Sequence, residues 1–366
     1  AVASVSGNTL TQKPETDVAR ILNGKVPGVN ITSTGGTSGT GTNIIIRGYT
    51  TISGSKQPLF VVDGVPFNSD TNTPGADFAS GNQVASSRFL DLDPNNIERV
   101  DVLKGLSAAV LYGEQGRNGV IVITTKNVTK KKEKLSVDLT QSYFVNEIAS
   151  LPNYQDNYGN GFQQNFGFFF SNWGPRFDTR GAAGVAADGT VVHPYSRFSD
   201  ASLLAAFPEF QNARYEYKPY DNNRFFQQGG VRNTSITVGG GNEKTSYNAT
   251  FSGTNEEGFI PGNELKKRNL GLGINSELSK KFSMQTSFNF ASTEVDSPPI
   301  SAGLGSGSVS SAVSIFGDVL YTPRSIDLMG LPFEAPDGRS VYYRSGNDIQ
   351  NPRWTAKYSA QTDDVK

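Results

Sequence analysis

Cysteine is absent from the 366 residues. That excludes a disulfide, a thiolate metal site and a cysteine nucleophile, and it is neutral about redox compartment. Histidine occurs once, as His193 in "GTVVHPYS", a turn-like stretch where a solvated side chain is the expectation. An excess of either charge is missing as well. The formal net charge is −1 and charged residues make up 18% of the chain, so bulk electrostatics give no reason to expect nucleic acid or another polyanion. No run of 18 apolar residues occurs, which excludes a transmembrane helix. The first residues, "AVASVSGNTL", lack the basic and apolar regions of a secretory signal. No nucleophile stands beside a base. Asp363 and Asp364 are neighbours in sequence, whereas a glycosidase needs two carboxylates placed across a cleft. No catalytic residue, metal or cofactor is expected, and the chain does not read as an enzyme.

Glycine and aromatics are plentiful: Gly 40, Phe 23 and Tyr 14, against a hydrophobic content of 36%. That balance favours β structure with many turns. The first 128 residues read as a small mixed α/β domain. "PETDVARILNGKVPGVNI" predicts a short helix capped by Thr16 and ended at Asn23-Gly24. A strand, a Gly/Thr/Ser loop at 35–42 and a second strand at 43–47 follow. The loop lacks the Lys-Ser/Thr of a P-loop and leads into a strand, so phosphate binding is not expected. "QPLFVVDGVPF" predicts a strand at 59–63 broken by a turn at Gly64. Asp93-Pro94 opens a turn, Val100 and Val102 alternate as a strand, and "LSAAVLYG" reads as a helical turn capped by Ser107 and stopped by Gly113. Val120 to Ile123 is continuously apolar, the pattern of a strand covered on both faces.

Taken in order, "GKVPGVNI", "IIIRGYTTI", "PLFVVDGVPF" and "IERVDVLKGLSAAVLYGEQGRNGVIVITTK" resemble the plug domain of TonB-dependent outer-membrane transporters. The likeness is greatest to the SusC/RagA-like branch of the Bacteroidetes.

After the basic run "KNVTKKKEK" the texture changes. Leu135, Val137, Leu139 and Tyr143 alternate with small polar residues. So do Ile236 and Val238; Tyr247, Ala249 and Phe251; Leu270, Leu272 and Ile274; and Phe282, Met284, Phe288 and Phe290. Period two means one apolar face and one wet face. In a soluble sandwich the apolar face is the core; in a membrane barrel it meets lipid. The connections discriminate. "GGGNEKTS" and "SKKFS" are tight, "NEEGFIPGNELKK" is intermediate, and the stretches near 150–230 and 294–366 are long. If the first strand runs outward, short turns fall inside and long connections outside, as in membrane barrels. Residues 129–366 therefore read as about five strands of a transmembrane antiparallel β-barrel. "NWGPRFD", "NRFFQQGGVRNTSITVGGG" and "NPRW" resemble the opening barrel segments of the same family. Plugged barrels of this kind have about 22 strands, so the barrel is incomplete in this chain, and a fragment of a longer protein is the expectation.

The resemblance implies an outer-membrane, multi-pass protein that imports a nutrient, glycan or peptide. It also implies TonB-ExbB-ExbD as energy source, with no coupling box in this chain, a SusD-like lipoprotein lid, and lipid around the wall. It implies that Arg47 and Lys104 face carboxylates of the barrel wall, with Glu98, Arg99, Glu114 and Arg117 as further plug–barrel contacts. Tyr49, Tyr154, Phe168 and Trp173 are the expected substrate or lid contacts. Two other readings remain: a transporter-like structural subunit of a larger outer-membrane assembly, and a soluble β-rich binding module.

Overall fold

The computed structural model describes the chain except residues 1, 11, 13–14, 34–36, 49–56, 68–87, 127–134, 199, 299–314, 345–349, 359–360 and 366. Seven strands build the N-terminal domain: β1 (Val2–Ser6), β2 (Val29–Ser33), β3 (Thr42–Ile46), β4 (Leu59–Val62), β5 (Val65–Phe67), β6 (Ile97–Leu103) and β7 (Val120–Thr125). Five of them form a sheet in the order β1-β6-β7-β4-β5, with β4 and β7 parallel; β2 and β3 form a separate hairpin.

Alternation in β4 and β7 sends side chains to both faces, and both are covered. Phe60, Ile121 and Ile123 join Leu10, Leu22 and Ile44 in the main core. Val61 and Val120 pack with Leu103 and Ala108 on the opposite face, under α3 (Leu106–Tyr112). The β4–β5 turn puts Asp63 at φ 49 and Gly64 at φ 87, the paired positive φ of a tight hairpin turn. The Asp63 carboxylate then accepts from the Thr125 amide at 2.9 Å and its hydroxyl at 2.6 Å, tying the hairpin to β7.

Two expected caps differ. The helix Val18–Ile21 is capped by Asp17, whose carboxylate accepts from the Ala19 amide at 2.7 Å. Thr16 points away from the helix. The helix α3 begins after Gly105 with no side-chain cap, and the Ser107 hydroxyl donates to the Lys104 carbonyl instead.

The second part is a six-stranded antiparallel sheet, with two small two-stranded sheets in its first long connection. Beyond β8 (Ser136–Asn146), four short strands lie in the first long connection: β9 (Gly161–Phe162), β10 (Asn165–Phe166), β11 (Thr190–Val192) and β12 (Arg214–Glu216). Then come β13 (Gly229–Gly241), β14 (Thr245–Glu257), β15 (Glu264–Ser279), β16 (Phe282–Ser297) and β17 (Gln361–Val365). The order of the large sheet is β17-β16-β15-β14-β13-β8, and the small sheets are β9-β10 and β11-β12. Six strands pair where the sequence reading counts five. β17 escapes notice because "QTDDV" is short and carries no apolar alternation, and its register along β16 comes from pairing alone.

Burial along these strands is inverted relative to a soluble protein. Thr250, Ser252 and Lys267 are 0% exposed, while Phe251 is 54% and Phe288 53% exposed. Across the sheet the outward row Leu139, Ile236, Phe251, Leu270, Phe290 is in register. The inward row is polar and is covered by the N-terminal domain. A soluble sandwich buries its apolar face against a second sheet; here that face is open, the arrangement of a lipid-facing wall. The two long connections pack together at one end of the strands. Tyr195 and Phe225 from the first share a core with Ile315, Val319 and Tyr342 from the second.

Leu272, outward and mid-strand, tests this. Leu272→Arg is expected to lower the stability of the full-length protein folded in lipid vesicles by about 2–4 kcal/mol, read by denaturant titration. A water-facing position would show almost no change.

Candidate functional site

The buried seam between the N-terminal domain and the sheet concentrates the polar groups of the molecule. Lys267 is its centre. Inward parity on β15 carries its ammonium into the N-terminal domain. There Nζ donates to the Leu92 carbonyl at 2.5 Å and the Thr16 carbonyl at 3.4 Å. The carboxylates of Asp93, Asp17 and Asp91 act on its charge. Burial pushes the Asp17 carboxyl above the usual range, although Thr42 and Ala19 both donate to it.

Glu256 makes a second centre. One carboxylate oxygen accepts from Thr16 at 2.7 Å and the other from the Ser38 hydroxyl at 2.7 Å. Asn263 accepts from the Ser38 amide at 2.8 Å. Ser252 donates to Asp93 at 2.7 Å, Asn96 to Asn289 at 2.8 Å, and Asn248 to the Lys126 carbonyl at 2.8 Å. Apolar contact across the seam is small: Leu90 with Leu265 and Val295. Gly39, at φ +80, lies so close that an added Cβ would sit 2.5 Å from Val295 Cγ1.

A cavity of about 300 Å³ opens within the seam; Asp93, Asn96, Asn269 and Asn289 line it together with apolar residues of the N-terminal domain, Phe67, Leu92 and Ile123 among them. The side-chain oxygens of Asn96 and Asn269 have no protein partner, and groups of that kind are satisfied by solvent. The seam is therefore polar, specific and wettable.

The residues expected to face the wall make other contacts among the described residues. Lys104 is buried inside the N-terminal domain and donates to the Pro27 carbonyl at 2.5 Å; it supports that domain's own backbone. Arg99 pairs with Asp101 at 3.1 Å and Arg117 with Glu114 at 3.6 Å, all within the same domain. Glu98 is exposed. Arg47 is exposed at φ 59, and its guanidinium lies over Gly105, where an added Cβ would come within 3.1 Å of Nη1. None of these six hydrogen-bonds or ion-pairs with a described strand of the sheet. Tyr49 lies outside the described residues. The residues that do cross the seam, Thr16, Ser38, Asp93, Asn96, Glu256 and Lys267, were missed. The one available signal was parity: Lys267 shares its face with Asn269 and opposes Leu270 and Leu272.

In the outer lobe, Tyr154 is half-buried under Arg324, whose guanidinium lies 5.5 Å from the ring, and Phe168 is half-buried under Arg197 at 4.2 Å. Trp173 is 53% exposed and meets Phe162 edge-on at 4.9 Å. Of these three, Trp173 is the one left open to a ligand. His193 is not solvated. It is 4% exposed, stacks on Phe210 at 4.1 Å, and its Nδ1 accepts from the Tyr195 amide. Burial lowers it from 6.5 to about 4.

The sequence model of the TonB-dependent Receptor Plug Domain family matches residues 1–120. A TonB-dependent receptor of Formosa agariphila is 24% identical over 296 residues, covering 79% of this chain and 25% of its own length. TonB-dependent receptor SusC of Bacteroides thetaiotaomicron is 33% identical over 126 residues, 34% of this chain and 12% of the relative. The solved RagAB peptide importer in its open-open state covers 98% of this chain and 36% of that chain with a TM-score of 0.66 at 20% identity, a likeness of fold. The chain spans about a quarter of the length of the curated relatives first matched.

Two outcomes follow for the full-length protein. Lys267→Met leaves the buried Leu92 and Thr16 carbonyls without their donor and removes the cationic field at Asp93 and Asp17. It is expected to lower stability by about 1–3 kcal/mol and to raise hydrogen exchange at the Ala19 and Asn95 amides; Asp93→Asn added to it recovers part of the loss. Between about pH 6.5 and 4 an unfolded His193 binds a proton that the folded one refuses, so outer-lobe stability falls as pH drops through that window. Hydrogen exchange at outer-lobe amides is expected to rise from pH 7 to pH 4.5, after correction for intrinsic rates, and to rise less in His193→Phe.

Proposed function

Starting from a chain that joins a TonB-dependent receptor plug domain to the opening strands of a SusC-like barrel, we propose that the whole protein imports a nutrient, glycan or peptide, across the outer membrane. The plug fills the lumen at rest. TonB, energised through ExbB and ExbD, displaces it from the periplasmic side, and a SusD-like lipoprotein covers the outer mouth.

The observation that carries this reading is the chemistry of the seam. A permanent interface is made of apolar side chains. This one is made chiefly of hydroxyls, carboxamides, the Glu256 and Asp93 carboxylates and one buried ammonium, with a small apolar contact at Leu90 and a cavity inside it. Hydrogen bonds exchanged for water cost little net free energy, so such a surface can part and re-form. Hydrogen-bonded charges, Lys267 on two plug carbonyls and Glu256 on two plug hydroxyls, fix one docked position without strong adhesion. Arg47, exposed over Gly105, is proposed to meet the remaining wall, and Glu98, Glu114 and Arg117 are proposed as further contacts to it. Trp173 is proposed to meet cargo or lid at the mouth.

The absence of cysteine makes a clean lock available. An added Cβ at Gly39 lies 3.4 Å from Val295 Cβ, close to the disulfide range. The strain of a side chain at φ +80 is about 1–2 kcal/mol. With Gly39→Cys and Val295→Cys in the full-length protein, oxidation is expected to abolish TonB-dependent uptake and reduction to restore it. Growth on single carbon sources after gene deletion separates an importer, which loses one nutrient, from a structural subunit, whose loss harms the envelope generally. Unchanged uptake by the cross-linked protein would show that this part of the seam stays shut during transport.

A further inference from the structure

The outward face of the wall changes character within two residue layers at the long-loop end. The last fully apolar row is Leu139, Ile236, Phe251, Leu270 and Phe290. Above it come Gln141, Thr234, Gly253, Arg268 and Ser292, and above those Tyr143, Arg232, Asn255, Lys266 and Glu294. Two guanidinium groups and an ammonium therefore stand directly over the apolar band.

Their bonding separates them. Lys266 is engaged by Glu264 at 3.2 Å and Glu294 at 3.6 Å. The arginines are not paired with carboxylates among the described residues. Arg268 Nη1 donates to Asn255 Oδ1 at 2.9 Å and to the carbonyls of Thr254 and Lys267. Arg232 is exposed and has no hydrogen bond or ion pair among the described residues. Asn255 sits directly opposite Arg232, so both arginines flank one carboxamide. The floor of the space between them is Gly253, where an added Cβ would lie 3.6 Å from Arg268 Cδ. The absent side chain leaves a notch between Arg268, directly opposite, and Arg232, one layer further out on β13; Tyr143, opposite Arg232 on β8, leans outward over Gly230 and leaves the notch open.

We propose that this notch binds the phosphate of an anionic membrane lipid whose acyl chains lie along Phe251, Leu270 and Phe290. The argument is one of depth and charge. A phosphate at the boundary of the hydrocarbon lies where Arg232 and Arg268 lie, and planar guanidinium groups present paired donors to phosphate oxygens. The next layer outward carries Glu257, Glu264 and Asp296. It repels an anion seated higher, so the notch sets the depth of the head group as well as its sign. A free phosphate would lose the apolar half of the contact. The proposal rests on the lipid-facing reading of the wall.

The test uses the full-length protein reconstituted in nanodiscs of phosphatidylcholine, titrated with phosphatidylglycerol and read by native mass spectrometry of retained lipid. Wild type is expected to retain phosphatidylglycerol preferentially. Arg232→Gln with Arg268→Gln is expected to weaken that retention roughly thirty-fold, about 2 kcal/mol at about 1 kcal/mol per basic residue, and to leave phosphatidylcholine retention unchanged. Gly253→Glu, which seats a carboxylate in the notch at an ordinary contact distance, is expected to do the same without removing either arginine. Equal retention by wild type and both variants overturns the proposal. Competition by inorganic phosphate at equal concentration overturns it in favour of a free-anion site. A wild-type protein that enters neither bilayer sinks the lipid-facing reading itself, a separate failure.

Discussion

A buried ammonium on the wall, held by carbonyls and carboxylates of the plug, is the contact on which the arrangement depends. Lys267 touches two plug segments far apart in sequence, at Thr16 and Leu92. Isolated burial of that charge is costly, and the carbonyls and nearby carboxylates offset the cost only while the plug is docked. The contact therefore specifies position more than it adds cohesion. Glu256 repeats the logic with opposite sign, accepting from Thr16 and Ser38. Wall acid and wall base each engage the segment around Thr16, so that segment is registered twice.

Cohesion lies elsewhere, and its distribution explains how a seam can part without the plug losing its fold. The plug has an apolar core in which Phe60, Ile44, Ile121 and Leu22 are fully buried. The outer lobe has a second core, built from connections separated by four wall strands. Between plug and wall the apolar contribution shrinks to Leu90, Leu265 and Val295. Burial of apolar area is the dominant favourable term in folding. Two well-buried bodies joined by a polar surface will separate along that surface before either unfolds.

Much of this was legible in the sequence because it depends on periodicity. Alternation in β13 to β16 requires one apolar face, and connection lengths distinguish lipid from core as its destination. Continuous apolar runs placed β4 and β7. What was not legible depends on tertiary partners. Thr16 looks like a helix cap, and so does Asp17; the cap went to Asp17 because Thr16 is occupied by Glu256 240 positions away. Nothing in the sequence around Lys104 marks the Pro27 carbonyl, 77 positions away, as the acceptor for its ammonium. His193 reads as a loop residue, and it is one, but the loop folds over Phe210 and Tyr195. β17 has no pattern of its own and exists because the edge of β16 offers unpaired groups.

The same limit applies to the seam. Its residues are Ser, Thr, Asn and Asp, types that loops and strand faces carry everywhere, so composition cannot mark them. Only the fold makes Ser252 meet Asp93 across 159 positions. Parity does say which face of β14 and β15 is polar, and a polar face on a membrane strand must meet water or protein. For this wall the described structure shows which: the inward rows from Asn248 to Thr254 and from Leu265 to Asn269 are covered by plug. That occupant is neither bulk water nor a greasy core: its groups are hydrogen-bonded in the docked position, and they are polar enough for water to replace those bonds.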